Sequence, residues 1–242
     1  MSNSSESDAA APHTMTRREM MLAGASAVGA VASSGATSRA FAAVLGLPIA
    51  VTSIYAVRED GDMLFYQHTG TEDGTPEWPV QALKIGNGWN FRQLFAGVNG
   101  AIYAIRQNGD MLFYRHSGLK NATASWATQA KQIGNGWDFR HVFAGDQGAI
   151  YAIRQNGDML YYKHAGFATG TDEWPIQAKQ IGNGWDFRDV FGAQRGAVYA
   201  IRQNGDMLFY KHAGVDDGSA RWSVQQKPVG NGWNFRYVMA SR

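Results

Sequence analysis

The sequence predicts an all-β propeller, on three observations. A 48-residue unit recurs four times in register after residue 53. A period of this size marks an array or a propeller, in which each unit buries its apolar face against its neighbours. No part of the unit shows helical periodicity; it reads instead as short strand-like runs separated by Gly- and Asn-containing turns. The spacing joins Ile54-Tyr55-Ala56-Val57-Arg58 to Ile102-Tyr103-Ala104-Ile105-Arg106, Ile150-Tyr151-Ala152-Ile153-Arg154 and Val198-Tyr199-Ala200-Ile201-Arg202. It also relates Trp78, Trp126, Trp174 and Trp222, and the four Gly-Asn-Gly-Trp motifs ending at Trp89, Trp137, Trp185 and Trp233.

The elements follow in order within the unit from Phe91 to Asn135. Phe91 to Phe95 mixes apolar and polar residues as a first strand. Gly97 to Gly100 makes a turn, Ala101 to Arg106 a second strand and Met111 to His116 a third. Gln107-Asn108-Gly109-Asp110 lies between these two, and Asn-Gly is a strong hairpin signal because both residues tolerate positive φ. A loop of variable sequence leads to Trp126, and a fourth strand near Gln129 to Ile133 ends at Gly134-Asn135-Gly136. Four strands per unit of this length make one propeller blade.

The ends suggest how the ring closes. The last copy stops at Asn234-Phe235-Arg236-Tyr237-Val238-Met239, a first strand only, while the first copy begins at its second strand, Ile54. The C-terminal strand is therefore expected to complete the first blade, joining the termini by hydrogen bonds and removing an exposed edge. The alternative is that Leu47 to Ser53 supplies that strand. The C-terminal strand is then free to pair with another chain, giving a strand-swapped oligomer in place of the expected monomer.

The first 42 residues are set apart from this domain, which is expected to span 43–242. Thr16-Arg17-Arg18-Glu19-Met20-Met21-Leu22 resembles the twin-arginine export motif. Small, weakly apolar residues follow from Ala23 to Ala36, and Ala40-Phe41-Ala42 supplies small residues before a cleavage point at Ala43. The apolar run is broken by Ser and Gly and is barely long enough to span a bilayer, so stable membrane insertion is not expected. These features predict export of a folded protein to a secreted or periplasmic location.

Composition narrows the function. Of 242 residues, 12% are aromatic and 45% hydrophobic, enough for a substantial core, and 29 Gly against 6 Pro suits many tight turns. The net charge is +2 with acids and bases interspersed, so the basic patch that nucleic acid requires is missing. With no Cys there is no disulfide framework, thiol nucleophile or thiolate metal site.

The ordered set Ile-Gly-Asn-Gly-Trp, Phe-Arg with an apolar pair, Tyr-Ala-Ile, the Asn-Gly hairpin, Leu-Phe-Tyr with His, and a loop Trp resembles the tachylectin-2 family and its bacterial relatives across the whole mature chain. Val229 replaces the Ile in the last copy. The resemblance implies a propeller lectin with a site for N-acetylated amino sugars in each blade, closed through an unfinished terminal unit. The sequence departs from the family in having four repeats rather than five. Where the family places Asp and Asn before the loop Trp, this chain has Pro76-Glu77, Ala124-Ser125, Asp172-Glu173 and Ala220-Arg221. The blades are therefore not equivalent.

Sugar binding needs an apolar aromatic platform and a few fixed polar partners. Trp78, Trp126, Trp174 and Trp222 are candidate platforms, as are Trp89, Trp137, Trp185 and Trp233 after their turns. The structural alternative for both sets is packing between blades. Asn87, Asn135, Asn183 and Asn231 either hold an acetamide or hydroxyl or simply tolerate the turn.

His68, His116, His164 and His212 lie too far apart in a ring for one metal ion unless they line its axis, and no acidic partner has a short ligand spacing, so no metal or cofactor is expected. A structural role or a sugar hydrogen bond remains for them. Asp62, Asp110, Asp158 and Asp206 read as turn stabilisers, and Arg58, Arg106, Arg154 and Arg202 as surface partners of nearby acids. Catalysis needs an asymmetric set of groups, whereas nearly every polar residue here occurs four times. A glycoside hydrolase needs an unrepeated carboxylate pair, and Asp172 with Glu173 is a weak candidate. The expected function is a non-enzymatic, multivalent lectin for glycans of the N-acetylhexosamine type. The alternative is a propeller scaffold for protein or cell-envelope contacts.

Overall fold

The computed structural model describes residues 51–70 and 75–235. Contacts divide the chain into two units, Met1–Ile49 and Ala50–Arg242, and the second holds the fold. The twin-arginine-like segment and its cleavage point lie outside the described residues.

Among the described residues, fifteen strands form four antiparallel sheets that follow the repeats. The first contains β1 (Thr52–Val57), β2 (Met63–His68) and β3 (Val80–Gly86). The second runs β4 (Gln93–Ala96), β5 (Ala101–Ile105), β6 (Met111–His116), β7 (Trp126–Gly134). The third runs β8 (His141–Ala144), β9 (Ala149–Ile153), β10 (Met159–Lys163), β11 (Ile176–Gly182). The fourth runs β12 (Asp189–Gly192), β13 (Ala197–Ile201), β14 (Met207–His212), β15 (Trp222–Gly230). Each is an up-and-down meander in sequence order, as the four-stranded blade predicts. The innermost strand β8 meets β4 on one side and β12 on the other, and the four sheets make the assembly a four-bladed β-propeller. Among the described residues helix is confined to two short 3-10 turns, Ala165–Ala168 and Gln194–Gly196.

The first sheet has three strands among the described residues. The strand expected to complete it runs from Asn234 to Met239, and from residue 236 onward it lies outside the described residues; the alternative, Leu47 to Ser53, lies outside them as far as Ala50, and its Thr52 and Ser53 belong to β1 itself.

The Asn-Gly hairpins correct one sequence expectation. Only the glycine takes a positive φ, +85° at Gly109, and Asn108 does not. The Gly109 N–H donates to the Arg106 carbonyl at 3.0 Å, and the Arg106 N–H donates to the Asp110 carbonyl at 2.9 Å. This is a type I turn followed by a left-handed glycine, the next commonest hairpin solution. Asn108 is there for its side chain, since its Oδ1 accepts the Asp110 N–H at 3.1 Å.

The core lies between blades as much as within them. Strands β5 and β9 are buried along their whole length. Their alternating side chains pack into three apolar clusters, and each cluster draws on two consecutive blades. Outer strands face solvent and carry a bulge. Ala82, Ala130, Ala178 and Gln226 take φ between +47° and +51° at one repeat position, beside a register shift against the neighbouring strand. Non-glycine residues in the left-handed region cost about 1–2 kcal/mol each, so the surrounding ladder holds them there.

Candidate functional site

The three junctions between consecutive blades are built from the same bonds. At the junction of the third and fourth blades, Tyr151 on β9 meets His212 on β14, with the hydroxyl 2.9 Å from Nδ1. His212 Nε2 lies 2.9 Å from the Ser219 carbonyl. A carbonyl only accepts, so Nε2 carries a proton. Burial holds the His212 pKa below the usual histidine value and so favours the neutral ring, in which Nδ1 accepts from the tyrosine hydroxyl. The preceding junctions repeat this with Tyr103–His164 at 2.9 Å and Tyr55–His116 at 3.0 Å. The histidines are thus structural links, each using both ring nitrogens, and among the described residues no three His, Asp or Glu side chains converge on a metal position.

Each linking histidine packs on the loop tryptophan of its own blade. The ring centroids are 4.8 Å apart for His212 and Trp222, and 4.6 Å for His164 and Trp174. The other side of the Trp222 ring system meets Trp185 of the preceding blade at 5.3 Å, and its Nε1 donates to the Ile181 carbonyl at 2.9 Å. Trp174 with Trp137 and Ile133, and Trp126 with Trp89 and Ile85, repeat the arrangement. Trp126, Trp174 and Trp222 are therefore half-buried pillars between blades, with Trp89, Trp137 and Trp185 buried behind them, whereas Trp78 is exposed. Trp78 and Trp233 are not brought together among the described residues.

Above this aromatic wall, the third and fourth blades enclose an open cleft of about 750 Å³, a size that suits a small organic ligand. The preceding blade lends Asn183, Gly184 and Trp185; the following blade lends Arg202, Tyr210, Trp222 and Gln225. The Asn183 side chain is exposed and makes no hydrogen bond among the described residues. The turn does not require it, because Gly184 alone takes the positive φ, +69°. Asn87, Asn135 and Asn231 are placed alike, exposed and without positive φ, and the turn-tolerance reading of these asparagines loses its basis. Gly182 is required by close approach, since a Cβ there would come within 2.6 Å of Trp185 Nε1.

Tyr210, Tyr162 and Tyr114 are site residues that sequence reasoning passed over. Burial raises the Tyr210 pKa, opposed by the neighbouring Arg202 charge, so the hydroxyl stays a neutral donor and acceptor. The same pairing joins Tyr162 to Arg154 and Tyr114 to Arg106. These tyrosines share the 48-residue spacing of the tryptophans, and that spacing was the available signal. Arg106 and Arg154 also approach Asp110 and Asp158 at 3.9 and 4.0 Å, as expected of surface partners. The cleft lining includes one carboxylate, Asp186, which is paired with Arg140 of the preceding blade. Asp172 and Glu173 are both exposed and lie at the junction of the second and third blades.

The fold and the cleft define a class, a propeller with a polar-aromatic cleft between two blades and the same aromatic wall repeated at the other formed junctions. More particularly, the chain belongs to the Tachylectin family, whose model matches residues 40–122 and 114–242. No curated protein matches the chain. Among solved structures, one from work on the de novo evolutionary emergence of a symmetrical protein is 24% identical over 78% of each chain, with a TM-score of 0.52. A mutant of AofleA from Arthrobotrys oligospora is 11% identical over 75% of this chain and 69% of that one, with a TM-score of 0.43. Prp20p from Saccharomyces cerevisiae is 12% identical over 73% of this chain and 47% of that one, with a TM-score of 0.38.

Proposed function

We propose that the protein is an exported, non-enzymatic lectin that binds N-acetylated amino sugars at its blade junctions. One observation carries the reading. Asn183 projects an uncommitted amide at the rim of a cleft backed by Trp185 and Trp222, in a turn that does not need asparagine. An amide supplies both a donor and an acceptor, the complement of an acetamide group. Tyr210 and Gln225 add hydroxyl and amide partners for ring hydroxyls, and the indoles present apolar surface to the CH-rich side of the sugar. Family membership supports the same reading. Export by the twin-arginine route is part of the proposal and rests on residues 16 to 22.

The residues that line this cleft recur at the other formed junctions at a fixed 48-residue spacing. A single monosaccharide site of this openness binds weakly, and several on one frame multiply the strength against a dense glycan surface. A glycan array with residues 43–242 tests the proposal. Selective capture of N-acetylhexosamine glycans is the expected result, and silence across all glycans overturns it in favour of a scaffold propeller.

A further inference from the structure

The chain carries the parts of a fourth junction. The last blade holds Tyr199, Val229, Asn231 and Trp233, and the first holds Tyr66, His68, Trp78 and Gln81, at the repeat positions that build the other three. Yet among the described residues no hydrogen bond joins Tyr199 to His68 or Trp78 to the Val229 carbonyl, and Trp78 stacks only on Tyr66 and His68 of its own blade. Both halves expose apolar surface that the other junctions bury. Val229 is 47% exposed where Ile181 is 2%, and Ile54 is 39% exposed where Ile102 is 3%.

A second observation is independent of these contacts. Arg92 pairs with Asp138 across one junction and Arg140 with Asp186 across the next. Arg188, the equivalent residue facing the fourth, meets the neutral Asn234 at 3.5 Å. The repeat position of Asp138 and Asp186 is also neutral between the first and second blades, where Asn90 stands, so the two junctions that flank the first blade are the ones without this carboxylate.

We infer that the first and last blades of one chain form a fourth sugar site that is completed by ligand, so that sugar binding and closure of the fourth junction are one equilibrium. This rests on the reading of the three formed clefts as sugar sites. Asn231 and Trp233 hold an N-acetylated sugar from one side, and Tyr66, Trp78 and Gln81 from the other. The exposed apolar faces supply attraction between the halves but no specific bonds. A ligand that touches both halves binds the closed form alone and shifts the closed-to-open ratio by one plus the ratio of its concentration to its Kd.

The test is hydrogen exchange on residues 43–242 with N-acetylglucosamine as probe. At a concentration of about 100 times Kd, exchange in Thr52–Val57 slows about 100-fold, while Ala149–Ile153, already buried, is unchanged. Asn231→Ala weakens the fourth site about tenfold and, at the same sugar concentration, cuts the slowing to about tenfold. Asn135→Ala weakens another site to the same degree but leaves the slowing intact. Three sites filling with no change in Thr52–Val57 overturns the inference and leaves the lectin reading standing. No binding at any site overturns both. A doubling of mass by light scattering on adding sugar also overturns it, because closure then occurs between copies.

Discussion

The Tyr103 hydroxyl lies 2.9 Å from Nδ1 of His164, a residue in the next blade and 61 positions further along the chain. With Nε2 committed to the Thr171 carbonyl at 2.7 Å and burial favouring the neutral ring, this imidazole leaves Nδ1 as the acceptor for the tyrosine hydroxyl. Tyr103→Phe removes the donor and strands a buried acceptor, which costs about 1–3 kcal/mol. Urea unfolding measures the loss. Tyr199→Phe, whose hydroxyl has no such partner among the described residues, is expected to change stability by less than about 0.5 kcal/mol.

These histidines also set a pH dependence. Burial lowers the pKa of His116, His164 and His212 below the ordinary value of 6.5. The unfolded chain therefore takes up protons first as pH falls. Stability is fully present above pH 6.5 and declines as pH drops below it toward the folded-state values. Each histidine contributes at most about 1.4 kcal/mol per pH unit. Denaturant midpoints between pH 7.5 and pH 5 check this, and replacing His164 with Gln should flatten the decline. A midpoint independent of pH over that interval rules out the neutral-histidine link.

Two glycines of one turn should fail for different reasons. Gly182→Ala drives a methyl against Trp185 Nε1, displacing the aromatic wall at an expected cost of about 1–3 kcal/mol. Gly184→Ala meets nothing within 4 Å but is held at φ +69°, so its cost is the backbone term of about 1–2 kcal/mol. Near-ultraviolet circular dichroism should change for the first and not for the second.

Asn183→Ala separates function from folding. The side chain is exposed and unbonded to protein, so stability should move by less than about 0.5 kcal/mol. Sugar affinity at that junction should fall about tenfold, the effect of a lost hydrogen bond near 1.4 kcal/mol. Titration calorimetry against N-acetylglucosamine reads both affinity and site number.

Asn234→Asp offers Arg188 the carboxylate that Arg92 and Arg140 have across their junctions. The pair is exposed, so the gain should not exceed about 1 kcal/mol. Thermal unfolding at low and high salt measures it, with the gain vanishing at high salt.

The meander of each blade was legible because each strand and turn announces itself within a few residues. The Tyr-Ala-Ile run is apolar throughout because β5 and β9 are buried on both faces, and the outer strand is polar because it is not. Partners across blades were not legible. That Tyr103 would find His164 depends on how two sheets face each other, and a period of 48 residues says only that whatever one copy does, the next repeats. The same limit applied to the tryptophans, where platform and pillar look identical in sequence. The asparagine was easier to place once φ was known, because the structure showed that its neighbouring glycine carries the turn. The left-handed Ala130 and its repeat equivalents gave no sequence signal, since nothing about alanine announces that conformation.

The offsets that join the blades bear on how such a chain changes length. The Tyr–His link spans 61 residues and the Trp–carbonyl link 41 at each formed junction, and neither refers to a blade's place in the series. Deleting or duplicating one 48-residue copy in frame would leave every remaining link with its correct partner, so copy number can drift by recombination without rewriting a single contact. What such an event alters is the curvature demanded of the terminal pair, and selection on blade number would fall there.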